Sequence, residues 1–141
     1  MKNVVIDTGF WFALFDSSDE HHKEALDIYE LIKDNNIIIP FPTLYETINT
    51  AFSKQSLWMQ KFQEIVNQPN ITKLFDEQYR DDALGITFYS SLKQKRNLSL
   101  VDVIIRLILD DDTVSINYLV TFNVGDFNDV CNRRNIEILQ D

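Results

Sequence analysis

The chain has 141 residues, 45% of them hydrophobic and 25% charged, which is the balance of an ordinary globular protein and the usual size of one domain. Three glycines and three prolines are too few for a many-turned all-β fold, and the single cysteine, Cys131, excludes both an internal disulfide and a cysteine zinc cluster. A net charge of −9, from 13 basic and 22 acidic side chains, excludes holding nucleic acid on a broad basic face, so a phosphate-bearing substrate needs a local basic strip or cations held by the acids.

Residues 3–7, NVVID, form the first predicted element, a short β-branched strand that ends on an acid. A carboxylate at the end of a buried strand is costly to desolvate unless something compensates. Residues 21–35 follow a helical pattern with Ala25, Ile28, Leu31 and Ile32 on one side. IIIPF, 37–41, is a second strand stopped by Pro40 and Pro42. The next segment, TLYETINTAFSK, reads as one helix with Leu44, Ile48 and Phe52 at spacings of four, its polar side formed by Thr43, Glu46, Thr47, Asn49 and Thr50.

Ser56 is placed to cap a helix that runs to the Pro69-Asn70 turn, and ITKLF, 71–75, is a third strand. Residues 77–95 read as a long helix finishing in KQKR. SLVDVIIRLILDDD is a very apolar helix capped by Ser99, INYLVTF a fourth strand, DFNDVCNRR a short helix and IEIL a last strand. Strands that alternate with helices imply βαβ units. The expected architecture is one domain over residues 1–141, a three-layer α/β/α sandwich with a mostly parallel sheet of four to five strands. No apolar run nears the roughly 20 residues needed to cross a bilayer, and MKNVVIDTGFW lacks a signal-type cleavage site, so the expectation is a cytoplasmic protein without membrane contact.

In an open parallel sheet, ligands sit at the carboxyl ends of the strands, where the strand order switches direction. Asp7 ends the first strand, Glu46 follows the second, and Asn123 and Asp126 follow the fourth. Asp102 starts the helix that feeds the fourth strand. On that helix Ser99, Asp102 and Arg106 form one narrow polar stripe. Each acid has a bland explanation: an Asp102–Arg106 pair at i,i+4, a solvated face for Glu46, and helix caps for Asp7 and Asp126. Together those explanations leave unexplained why four acids fall at one predicted edge of the sheet. Carboxylates gathered in one cleft repel unless a cation neutralises them, and oxygen-only ligands favour Mg²⁺ or Mn²⁺. The chemistry suggested is hydrolysis of a phosphodiester.

At VIDTGFWFALFD, YETINT, LSLVDVII and LVTFNVGDF the sequence resembles the PIN-domain family of metal-dependent ribonucleases, in particular the VapC-like toxins of toxin-antitoxin pairs. The segments occur in family order over essentially the whole chain. The resemblance implies a PIN-type sandwich, Mg²⁺- or Mn²⁺-dependent cleavage of RNA, an antitoxin partner and a homodimer. It makes Asp7, Glu46, Asp102 and Asp126 the metal-binding and catalytic acids. Thr8, Ser99 and Thr121 fall where relatives place hydroxyls that orient those acids or a water. Asn123 departs from the pattern, since many relatives have Asp there; the neutral amide shifts the burden to Asp126 and favours a single metal.

Lys93, Lys95 and Arg96, just before the Asp102 helix, and Arg106 on its stripe are the candidate RNA-phosphate contacts, although cations at a helix end also answer its dipole. Arg133 and Arg134 are weaker candidates. His21 and His22 are adjacent on a helix and share no face, so a joint metal site is not expected and both read as surface residues. Trp11, Phe12, Phe15, Trp58 and Phe62 read as core, and Cys131 as a small buried residue.

Two alternatives remain at this point. A phosphate-signalling receiver domain also places acids at strand ends, but it leads with an acid pair and presents a lysine after its last strand. A catalytically silent PIN-like binding domain is compatible with Asn123 and the acidic total.

Overall fold

The computed structural model describes residues 1–140. In chain order the elements are β1 (Asn3–Ile6), α1 (Thr8–Phe15), α2 (His22–Ile32), β2 (Asn36–Pro40), α3 (Phe41–Thr47), α4 (Thr50–Ser53), α5 (Ser56–Val66) and β3 (Ile71–Leu74). Then follow α6 (Arg80–Leu92), α7 (Leu100–Asp110), β4 (Tyr118–Val120), α8 (Asn128–Arg134) and β5 (Glu137–Leu139), with short 3-10 turns at Glu77–Tyr79 and Val124–Asp126.

All five strands are parallel, in the order β3-β2-β1-β4-β5. This is the expected α/β architecture, and it differs from the 2-1-3-4-5 order of receiver-type sheets. From β1 the chain steps outward to β2 and β3, then returns to the other side of β1 for β4 and β5. The switch point therefore lies between β1 and β4, where Ile6 pairs with Val120 and the Asp7 amide donates to the Val120 carbonyl at 3.0 Å.

The alternation of β1 builds both faces. Val4 and Ile6 join Phe10, Trp11, Ile28, Phe52 and Phe62 in one core, while Val5 joins Ile105, Leu109, Leu119 and Phe127 in the other. Helices α1, α2, α4 and α5 cover the first face; α7 and α8 cover the second. The expected aromatic core is present: Trp11 lies 4.9 Å from Phe62, and Phe12, Phe15 and Trp58 surround Phe52 at 5.6–5.9 Å between ring centroids. Cys131 is buried, which pushes its thiol up to about 11.

Five local expectations need correction. The single helix over 43–54 is two helices, because Asn49 serves both ends of the break: its Oδ1 accepts from the Phe52 amide at 2.9 Å and its Nδ2 donates to the Glu46 carbonyl at 3.2 Å. An asparagine that satisfies the backbone this way competes with helix continuation. On α3, Thr43 and Thr47 are inside and Tyr45 and Ile48 outside, against the expected sides, while Leu44 packs on the core and Glu46 is exposed as expected. The threonines pass the cost of burial back to the backbone, donating to Pro40 O at 2.7 Å and Thr43 O at 2.8 Å. On α2, Leu31 is 70% exposed, one position outside the stripe of Ala25, Ile28 and Ile32. Finally, α5 begins after Gln55 with no side-chain cap, and the 77–95 helix stops at Leu92, with Lys95 in the left-handed region at φ 55°.

Candidate active site

Asp7 leaves β1 in extended conformation and becomes the N-cap of α1. Its Oδ1 accepts from the Thr8 amide at 2.7 Å, and its Oδ2 accepts from the Thr121 hydroxyl at 2.9 Å. The Thr121 oxygen in turn accepts from the Asn123 amide at 3.0 Å. Asp7 is only 5% exposed and Thr121 1%, so each of these bonds replaces water that burial has removed. Burial is the main reason that the Asp7 carboxyl is pushed up to about 6; the two hydrogen bonds oppose the rise, and the charges of Asp102 and Glu46 add to it.

Glu46 projects from α3 on the solvent side, and its Oε1 accepts from the Thr8 hydroxyl at 2.7 Å. Thr8 thus binds one acid through its backbone and a second through its side chain. On α7, Ser99 and Asp102 form a capping box: Ser99 Oγ accepts from the Asp102 amide at 3.0 Å, and Asp102 Oδ2 accepts from the Ser99 amide at 3.2 Å. This fixes Asp102 at the first turn of a helix whose other faces are buried. Asp7, Thr8, Glu46, Thr121 and Asn123 are therefore joined in one bonded network, with Asp102 coupled to it through charge.

Asp126 is placed differently. It ends the 3-10 turn after β4, and its carbonyl accepts from Arg106 Nη1 at 2.8 Å. It does not cap α8, whose boundary residue is Phe127. Arg106 does not pair with Asp102; its guanidinium grips both oxygens of Asp129 at 2.7 and 2.8 Å. That grip holds the Asp129 carboxyl far below the usual carboxylate range. Asp129 carries no signal in the sequence, because the i,i+4 spacing of Asp102 and Arg106 offers Arg106 a nearer partner on paper.

Of the other basic candidates, Arg96 is half-buried and points to the same turn, 3.5 Å from Asp129 and 3.4 Å from the Gly125 carbonyl. Lys93 and Lys95 are exposed, and Arg133 pairs with Asp110 at 3.1 Å. The histidines are half-buried rather than free on the surface. His21, the boundary residue before α2, stacks on Phe122 at 4.3 Å and His22 Nδ1 lies 2.7 Å from the Ala13 carbonyl, so the two rings serve different partners.

Among the described residues, no group of three or more His, Cys, Asp or Glu side chains stands ready as a metal shell. The acids nevertheless fit a hard divalent cation in donor type, and the Asp7 carboxyl, raised chiefly by burial and further by the charges of Asp102 and Glu46, is one that a bound cation would return to its ionised form. A cation here would draw first on Asp7, with Glu46 and Asp102 as its charged neighbours.

The family model of the PIN domain matches residues 4–108, a span that contains Asp7, Glu46 and Asp102 and stops short of Asp126. Among solved structures, the chain is similar to VapC20 of Mycobacterium tuberculosis, described as a sarcin-ricin loop cleaving toxin, at 15% identity and a TM-score of 0.72 over 98% of this chain and 99% of that one. It is also similar to VapBC2 of Rickettsia felis, described as bound to a DNA fragment from its promoter, at 15% identity and a TM-score of 0.65 over 99% of each. No curated protein gives a significant sequence match.

Proposed function

This chain belongs to the PIN domain family, and we propose that it is a Mg²⁺- or Mn²⁺-dependent endoribonuclease, the toxin of a toxin-antitoxin pair. The observation that carries the reading is the buried Asp7 carboxylate at the sheet's switch point, held by Thr8 and Thr121, its titration raised chiefly by burial and further by the charges of Asp102 and Glu46. The description of VapC20 as a sarcin-ricin loop cleaving toxin and of VapBC2 as bound to a DNA fragment from its promoter supports the class.

Asp7, Glu46, Asp102 and Asp126 are the proposed cation ligands. The chemistry such an ion supplies is acidification of a water and shielding of the charge that builds on the phosphoryl oxygen. The protein's own contribution is orientation: Thr121 and the Thr8 amide hold both Asp7 oxygens, the Thr8 hydroxyl holds Glu46, and the capping box holds Asp102. Lys93 and Lys95, exposed beside the Asp102 helix, are the proposed contacts for RNA phosphates, with Arg96 and Arg106 contributing charge from behind. The reading places the protein in the cytoplasm with its RNA.

We also propose a homodimer. On α6, Leu84, Phe88 and Leu92 recur at spacings of four and are exposed, and Tyr45 and Leu100 flank Leu84 around a cavity of about 440 Å³. Such a stripe is larger than isolated apolar residues on a monomer surface require.

The test is incubation of the purified protein with total RNA, with Mn²⁺ or with chelator, followed by sequencing of the new 5′ ends. Discrete cleavage sites that vanish with chelator and with Asp102→Asn support the reading. Cleavage that survives both sinks it.

A further inference from the structure

We propose that Arg106 is a positioning residue: by clamping the Val124–Asp126 turn to α7, it sets the separation of Asp102 and Asp126. The inference rests on reading these acids as parts of one divalent-cation centre. Asp102 and Arg106 stand four residues apart on the same rigid helix, so they lie on one face, about one turn from each other. From there the guanidinium crosses to the loop after β4. It donates to the Asp126 carbonyl at 2.8 Å and to both oxygens of Asp129 at 2.7 and 2.8 Å.

The turn is anchored at its flanks, by the Asn123 amide on Thr121 Oγ1 at 3.0 Å and by the fully buried Phe127, and Arg106 is the side chain that grips it between them at the Asp126 carbonyl. The turn itself is three residues long, closed by Asp126 N to Asn123 O and by Phe127 N to Val124 O, both at 3.1 Å. A single 3-10 turn of this kind is weakly self-supporting. Arg96 adds only contacts of 3.4–3.5 Å to Gly125 O, Asp126 O and Asp129. The Arg106 fork therefore dominates. A planar guanidinium on a carboxylate fixes a plane as well as a distance, which a point charge does not. A half-exposed ion pair adds little to folding stability, so the value of this one is geometric. Without the fork the turn would rest on its two flanks alone, and the placing of Asp126 relative to Asp102 would loosen.

The same contacts argue against Arg106 as a direct RNA ligand. Nη1 and Nη2 already serve three acceptors, and the side chain is 19% exposed.

The experiment is a titration with Mn²⁺, followed by the electron paramagnetic resonance of the free ion, of wild-type protein and of Arg106→Met, Arg106→Lys, Asp129→Asn, Asp126→Asn and Asp7→Asn. Circular dichroism of the metal-free proteins verifies the fold. Arg106→Met and Asp129→Asn should each weaken Mn²⁺ binding by about tenfold, the range for residues that orient a ligand. Arg106→Lys should fall between them and wild type, and kcat on RNA should drop while KM holds. If Arg106→Met does not fold, Asp129→Asn carries the test alone, since it releases the fork and leaves the arginine in place.

Unchanged Mn²⁺ affinity in folded Arg106→Met, beside a weakened Asp126→Asn, overturns the clamp. A raised KM in that case makes Arg106 a phosphate contact instead. Unchanged affinity in Asp7→Asn and Asp126→Asn as well overturns the cation centre itself.

Discussion

Thr121 donates its hydroxyl to Oδ2 of Asp7 at 2.9 Å, joining residues 114 positions apart across the boundary of β1 and β4. Both are buried, so no water stands by to replace the bond. Thr121→Val keeps the shape and removes the donor, and a buried acceptor left unpaired costs about 1–3 kcal/mol. The expected result is a lower melting temperature at pH 7.5 together with loss of RNA cleavage. Thr121→Ser, which restores the hydroxyl, should recover most of both; a Val variant as stable and active as wild type would refute the assignment.

Asp7 itself destabilises the metal-free fold. Its carboxyl titrates near 6 in the folded protein against an ordinary 3.8, so the folded state holds a proton that the unfolded state has released. The penalty is absent below the lower value, grows as pH rises between the two, and is complete above the upper one. A difference of this size corresponds to about 3 kcal/mol at most. Asp7→Asn should therefore melt higher than wild type without metal at pH 7.5, by about 1–3 kcal/mol, with the advantage fading towards pH 4. Denaturant unfolding at the two pH values measures it, and an advantage that is independent of pH would sink the argument. The same variant should be inactive on RNA.

Ser99 has two roles that one substitution separates. Its hydroxyl accepts from the Asp102 amide, and its own amide binds Asp102 Oδ2. Ser99→Ala removes the first bond and leaves the second, so stability should fall by about 1 kcal/mol, the usual worth of an N-cap. The Mn²⁺ concentration for half-maximal cleavage should rise, because Asp102 loses part of its support. Ser99→Asn, which caps as well, should regain the stability; failure to do so in thermal unfolding would mean that the cap is not what Ser99 supplies.

Phe88 lies in the middle of the exposed α6 stripe and is 59% exposed. Phe88→Asp should leave the melting temperature of the isolated chain within a few tenths of a kcal/mol, as for surface changes generally. Light scattering should show the mass halved relative to wild type. A wild-type protein that is already monomeric at tens of micromolar removes the proposed dimer.

Much of the candidate site was legible in the sequence because its signal is local. A buried strand that ends on Asp7 and a helix capped by Ser99 three residues before Asp102 can each be read from a few neighbours, whereas Thr121 was marked only by the resemblance. Strand and helix periodicity then supply the α/β class, since burial on one face or two is written in the spacing of apolar residues. The break at Asn49 and the inward turn of Thr43 and Thr47 were not legible, because a side chain that bonds to its own backbone looks polar in a pattern and yet can be buried.

What the sequence by itself determined is the alternation of strands and helices, the acids at their ends and the resemblance those acids carry. Only the tertiary structure decided which side of β1 each later strand takes, and with it that Thr121 meets Asp7. It alone decided that Arg106 turns from Asp102, four residues away on its own helix, to Asp129 on the next one. The reason is physical: partner choice among charged side chains depends on where α7 and α8 cross, a distance that no spacing along the chain contains.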